Sequence, residues 1–125
     1  MAKVIPVGHP VNDAERAAIA HLRDRLPDNY ILLHNFEIER HGERFEIDIA
    51  LLTPHALFLM DVKGTRGSID VYGNKWYPEG RASFPSPLGK LRGHARMVKG
   101  LITQSHPGRN ELDDIYVDAA IVLTA

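Results

Sequence analysis

Cysteine is absent from this 125-residue chain, so it can form neither a disulfide nor a thiolate-ligated zinc site, and a reducing compartment suits it. No uninterrupted apolar run approaches the ~20 residues of a membrane-spanning helix, and the opening stretch MAKVIPVGHP lacks a signal-peptide core. Charge of one sign is lacking too: 15 Lys and Arg stand against 16 Asp and Glu, and a net charge of -1 does not make the whole molecule an electrostatic trap for nucleic acid. None of the seven histidines is spaced as HxxxH or HExxH, so a histidine zinc site is not expected. Nor is there an internal repeat or a low-complexity tract. With 44% hydrophobic residues, the expectation is one soluble, cytoplasmic globular domain able to bury about two-thirds of its unfolded surface.

What the chain does hold is a segment, Phe45 to Lys63, in which charges are written into an apolar hairpin: FEIDIALL, the turn TPHA, then LFLMDVK. Core strands rarely carry such groups, because a charge leaves water at a high cost unless it is paired. With Pro54 and His55 as a two-residue loop between Thr53 and Ala56, antiparallel pairing sets Asp48 opposite Asp61 and Glu46 opposite Lys63. Two carboxylates ~4 Å apart repel by roughly 4 kcal/mol at an effective dielectric of about 20, so a positive group is expected between them. A divalent cation meets that need. Hard carboxylate oxygens on rigid strands suit Mg²⁺ or Mn²⁺, and Lys63, on the strand face of Asp61, is placed to orient or deprotonate a water. That is chemistry for cutting a phosphodiester. The competing expectation leaves both aspartates at strand ends in water, with Lys63 in a surface ion pair worth ~0–1 kcal/mol. A loop longer or shorter by one residue would place the aspartates on opposite faces.

The remaining elements follow from periodicity. Asn12 reads as a helix cap, and Ile19, Leu22 and Leu26 recur at helical spacing until Pro27, which predicts a helix from about Asp13 to Leu26. Tyr30 to Glu39 predicts a strand, His41-Gly42 a turn, Phe45 to Leu52 and Ala56 to Lys63 the hairpin, and Ile69 to Tyr72 a shorter strand. From Leu88 to Thr103 a second helix is expected to turn Leu91, Ala95, Val98 and Ile102 to the sheet, and Ile115 to Leu123 forms a final apolar strand. The order is an αβββαβ core, an α/β fold with a mixed central sheet flanked by helices. Because the chain stops on that strand, at IVLTA, residues 1–125 are expected to be the front domain of a longer polypeptide.

Glu15 lies one helical turn before Ile19 and is a candidate third acid over the hairpin, although its spacing from Asn12 also suits a capping box. Between Glu79 and Glu111 there is no acidic residue, whereas Arg81, Lys90, Arg92, Arg96, Lys99 and Arg109 are all basic. Arg92, Arg96 and Lys99 fall at helical spacing as a stripe for phosphates or as an ordinary solvated face, and Lys90 stands nearer the helix start, where an anion binds. Trp76 is a candidate for stacking a nucleobase or for anchoring a strand end. Gly64 and Gly67 bracket a bend after the hairpin.

On these residues the sequence resembles the nuclease-related domain family, NERD, a branch of the PD-(D/E)xK nuclease superfamily. The resemblance covers nearly the whole chain. It is carried by Asp13-Ala14-Glu15, Phe45-Glu46-Ile47-Asp48, Leu57 through Gly64 with Asp61-Val62-Lys63 inside it, Gly67-Ser68-Ile69 and Trp76. It implies a nuclease in which Glu15, Asp48, Asp61 and Lys63 surround Mg²⁺ or Mn²⁺. It further implies DNA as substrate with RNA left open, while Lys90, Arg92, Arg96 and Lys99 are candidate nucleic-acid contacts from their own charge and spacing. A companion helicase, kinase or other domain, a role in phage defence and a homodimer follow from the same resemblance. The alternative is a nuclease-fold module that binds nucleic acid or a partner domain and cuts weakly or not at all. Two departures from the family pattern stand out: Asp61 where glutamate is commoner, and Ser86-Pro87 followed by Lys90 where an Asn-Pro pair and a glutamine are common.

Overall fold

Residues 1–40, 42–64, 69–105 and 115–123 are described by a computed structural model. His41, Gly67, Ser68, His106 and Arg109, which figured in the sequence reading, lie outside them. The chain runs through β1 (Lys3–Pro6), α1 (Asp13–Arg25), β2 (Ile31–Arg40), β3 (Glu43–Leu52) and β4 (Ala56–Lys63). It continues with β5 (Ile69–Tyr72), β6 (Lys75–Pro78), β7 (Phe84–Pro85), α2 (Pro87–Ser105) and β8 (Tyr116–Leu123).

Local chemistry sets the helix limits. Asn12, in extended backbone, accepts the Glu15 N–H on its side chain at 2.9 Å and opens α1. Pro27 holds Leu26 extended, so α1 ends there with the Leu26 N–H on the Leu22 carbonyl. Proline occupies the first position of α2, where a missing N–H costs nothing, and the Ser86 hydroxyl accepts the Leu88 N–H at 3.2 Å. Pro54 and His55 form the hairpin loop, with the Thr53 N–H on the Ala56 carbonyl and the Ala56 N–H on the Thr53 hydroxyl.

The main sheet has the order β1-β2-β3-β4-β8. Strands β2, β3 and β4 form an antiparallel meander, while β1 joins β2 and β8 joins β4 in parallel, each through a helical crossover. The α/β architecture with a mixed sheet is as expected. Two features go beyond that reading: the edge strand β1, and a separate sheet of β5, β6 and β7 between β4 and α2. Trp76 is buried in this second sheet against Phe84, its ladder partner, with ring centroids 5.8 Å apart. Its role is therefore the anchoring one.

Two apolar clusters lie on opposite faces. Leu91, Ala95 and Val98 of α2 pack with Phe45, Ile47, Ala50 and Leu59, with Ile102 at the margin. Ala18 and Ile19 of α1 pack with Leu32, Ile49, Leu51 and Val62. Side chains of a regular strand alternate between faces. Ile47 and Ile49 share parity yet join different clusters, as do Leu32 and Phe36 on the neighbouring strand. The faces exchange at Asn35 and Asp48, where the β2–β3 ladder has a gap between its His34–Ile49 and Phe36–Ile47 pairs. Asn35 has φ 57, in the left-handed region, which rotates the residues after it.

Leu91, 2% exposed at the centre of the α2 cluster, carries a direct test of this packing. Leu91→Ala is expected to lower stability by about 2–5 kcal/mol in equilibrium denaturation. A loss under about 1 kcal/mol would contradict the burial of that face.

Candidate active site

Asp48 holds the position from which the site is built. The β3–β4 ladder keeps the expected register through Leu52–Leu57, Leu51–Phe58, Ala50–Leu59 and Ile49–Met60, and stops there. Asp48 and Asp61 are therefore not ladder partners, a correction to the sequence expectation. Instead the Val62 N–H donates to Asp48 Oδ2 at 2.9 Å, so a carboxylate takes the bond that a strand carbonyl would otherwise accept. The strands part beyond this point. The expected Glu46–Lys63 ion pair is also not formed: among the described residues the ion pairs are Arg16–Asp13, Arg23–Asp24 and Arg44–Glu39, all exposed.

Between the parted strands and the first turns of α2 lies an open cleft of about 700 Å³. Asp48, Asp61 and Lys63 line it from the hairpin, and Lys90, Leu91 and His94 line it from α2. Asp61 and Lys63 share a face with Leu57 and Leu59 by alternation, which turns them toward α2. No acidic residue stands in the first turn of α2, so the positive end of its dipole is left uncompensated, with Lys90 beside it. A smaller cavity of about 390 Å³, walled by Val7, Val11, Phe36 and Ile47, reaches Asp48 as well.

Burial, above all, pushes the Asp48 carboxyl above its ordinary value. The Val62 hydrogen bond opposes this, repulsion from Glu15 and Asp61 adds to it, and Lys63 counters. The group is a half-buried acid among other acids, an arrangement that a cation would relieve. His94 stacks on Phe45 with centroids 3.9 Å apart. Burial, with help from the Lys90 charge, holds its imidazole below the usual value, while Asp61 and Glu43 act the other way. Sequence reasoning passed over His94; its one signal was a place one turn after Lys90 on the same helix face.

Glu15 does not line the cleft. It is 6% exposed, and its Oε1 accepts the Val11 N–H at 3.2 Å and the Asn35 amide at 2.7 Å. Its charge is felt at Asp48. Half of the capping box forms, from the Asn12 side chain to the Glu15 N–H, while the glutamate carboxylate turns to Asn35. Arg92 and Arg96 are exposed on α2 and Lys99 is half-buried; none of the three lines the cleft. The Arg92 charge acts on Tyr116 and Asp118, at the other end of β8 from the residues paired with Asp61 and Lys63. Among the described residues no three His, Asp or Glu side chains converge on one point.

Because the folded state binds the Asp48 proton more tightly than the unfolded chain does, the stability this group contributes is complete below about pH 4 and is lost as pH rises through its folded value. Asp48→Asn keeps an oxygen for the Val62 N–H and cannot ionise. Without divalent ions, it is expected to melt above wild type at pH 7, with the gap closing in acid. Melts that coincide at both pH values would contradict the strain assigned to this carboxylate.

Comparison with known proteins finds no curated protein and no solved structure that matches the chain. A family model does match, the nuclease-related domain, over residues 10–124. Nearly the whole chain, including both parted strands and α2, falls within that match. The chain thus belongs to the nuclease-related domain family, NERD, within the PD-(D/E)xK-like nuclease superfamily.

Proposed function

We propose that this domain is a metal-dependent nuclease that hydrolyses DNA phosphodiester bonds at the cleft between β3, β4 and α2. The observation that carries the reading is the placement of Asp48, Asp61 and Lys63 in one cleft of a nuclease-related chain. The donor chemistry fits a hard cation. Among the described residues Asp48 has only Oδ2 engaged, by Val62, and Asp61 lines the same space. Asp48 and Asp61 would hold Mg²⁺ or Mn²⁺, with water and substrate phosphate completing the shell, as such ions commonly keep several waters. When bound, such an ion supplies Lewis-acid stabilisation of the phosphoryl oxygens and an acidified water. Lys63, on the face of Asp61, orients the attacking water and steadies the charge that develops on phosphate. Lys90, with the α2 N-terminus, receives the neighbouring phosphate. Glu15 acts from behind Asp48, through its charge or through a water. On the family's pattern the proposal extends to a homodimer and a companion helicase, kinase or other domain in a cytoplasmic DNA-processing or phage-defence protein, with RNA left open as a substrate.

Asp61→Ala is expected to abolish Mg²⁺- or Mn²⁺-dependent cutting of plasmid and linear DNA while leaving circular dichroism unchanged. For Lys63→Ala a rate loss of about 10²–10⁴-fold is expected. Undiminished metal-dependent cutting by Asp61→Ala would overturn the proposal.

A second reading, a nuclease fold that binds DNA without cutting it, is favoured by one observation: among the described residues no three candidate ligands converge. Here Arg92, Arg96 and Lys99 would carry the affinity. Replacing all three by alanine should then weaken binding and reduce the slope of log K against log salt by about 3. Binding that survives Asp61→Ala while no variant or wild type ever cuts would select this reading.

A further inference from the structure

We infer that Asn35 is a positioning residue for the acidic cluster: its amide fixes Glu15, and its left-handed backbone opens the sheet at Asp48. The inference rests on the metal-dependent reading above.

Asn35 is the one non-glycine residue with positive φ among the described residues, and asparagine tolerates this region better than most side chains. The pairs His34–Ile49 and Phe36–Ile47 set it opposite Asp48, in the gap of the ladder. Its Nδ2 donates to Glu15 Oε1 at 2.7 Å, twenty residues away in sequence. That amide orientation leaves Oδ1 to accept from His34 Nδ1, which fixes the tautomer of a buried imidazole. The loop after β1 closes on the same residue: a Cβ on Gly8 would meet the Asn35 carbonyl at 2.5 Å. The kink is thus held from its own side chain, from the neighbouring histidine and from a glycine that alone fits there.

Two donors, the Val11 N–H and the Asn35 amide, converge on one oxygen of Glu15. The carboxylate orientation is set by that pair. Glycine would give the left-handed backbone freely, but it offers no amide. The side chain of Asn35 is therefore what links Glu15 of α1 by a hydrogen bond to β2, at the position facing Asp48.

Asn35→Gly separates the two roles, since it keeps the backbone and removes the donor. Calorimetric titration with Mn²⁺ would be run on wild type, Asn35→Gly and Asn35→Ala, beside thermal melts and steady-state cleavage of DNA. Asn35→Gly is expected to fold and to bind Mn²⁺ about 10–100-fold more weakly, as losses of supporting hydrogen bonds around a metal site do, with kcat lowered and KM for DNA little changed. Asn35→Ala should show the same loss together with a lower melting temperature, because alanine resists positive φ. Wild-type Mn²⁺ affinity retained in Asn35→Gly would overturn the inference and leave the metal reading intact. A wild type that binds no Mn²⁺ would overturn both. An Asn35→Gly chain that does not fold would reassign the residue to stability and overturn the positioning role.

Discussion

A side-chain carboxylate stands in for a backbone carbonyl at Val62, and the rest of the site follows from that substitution. Antiparallel strands continue as long as each inward N–H finds the facing C=O. At Val62 the N–H finds Asp48 Oδ2 instead. A hydrogen bond to a charged acceptor is worth about 1.5–3 kcal/mol, enough to offset the ladder bond it replaces. The strands are then free to separate, and α2 fills one side of the gap with Lys90 and His94. The same bond pins Asp48 half-buried, where burial and two neighbouring acids oppose its charge.

Asp48 is also where the sheet exchanges its faces. Before it, Phe45 and Ile47 pack toward α2; after it, Ile49 and Leu51 pack toward α1. One residue can therefore be near groups from both helical layers: Asp61 in the cleft and Glu15 of α1, both of which act on its ionisation. A regular strand would keep Asp48 to one layer and deny it one of these neighbours. Asn35 makes the same exchange on β2, so the two strands turn together and stay in register on either side.

Much of the frame was legible because it obeys simple periods. The 3.6-residue stripe of Leu91, Ala95 and Val98 gave the packing face of α2, and the turn chemistry of Thr53 to Ala56 gave the hairpin register. Strand β1 escaped because four residues that include a proline show no alternation, and its pairing with β2 is set from outside. Of the second sheet, β5 was legible at Ile69 to Tyr72, while β6 and β7 were not: β7 is two residues long and pairs with β6 at Trp76–Phe84 and Lys75–Pro85. At the cleft, Asp48, Asp61 and Lys63 stood out in the sequence, whereas Glu15, Arg92, Arg96 and Lys99 fall outside it and the parting of the strands left no trace. FEIDIALL reads as unbroken alternation, and nothing in it announces that Ile47 and Ile49 diverge. That depends on the left-handed turn of Asn35, a residue on another strand. The contact of His94 with Phe45 joins distant segments and leaves no local signature.

A cation site between Asp48 and Asp61 is the claim on which the functional reading turns. Its most direct test is a Mg²⁺ titration of ¹⁵N-labelled protein followed by NMR. Saturable shifts are expected, centred on the amides of Asp48, Asp61 and Val62, which reports the Asp48 bond, and absent in Asp48→Asn. Shifts scattered over the exposed acids, or none at these amides, would contradict the claim.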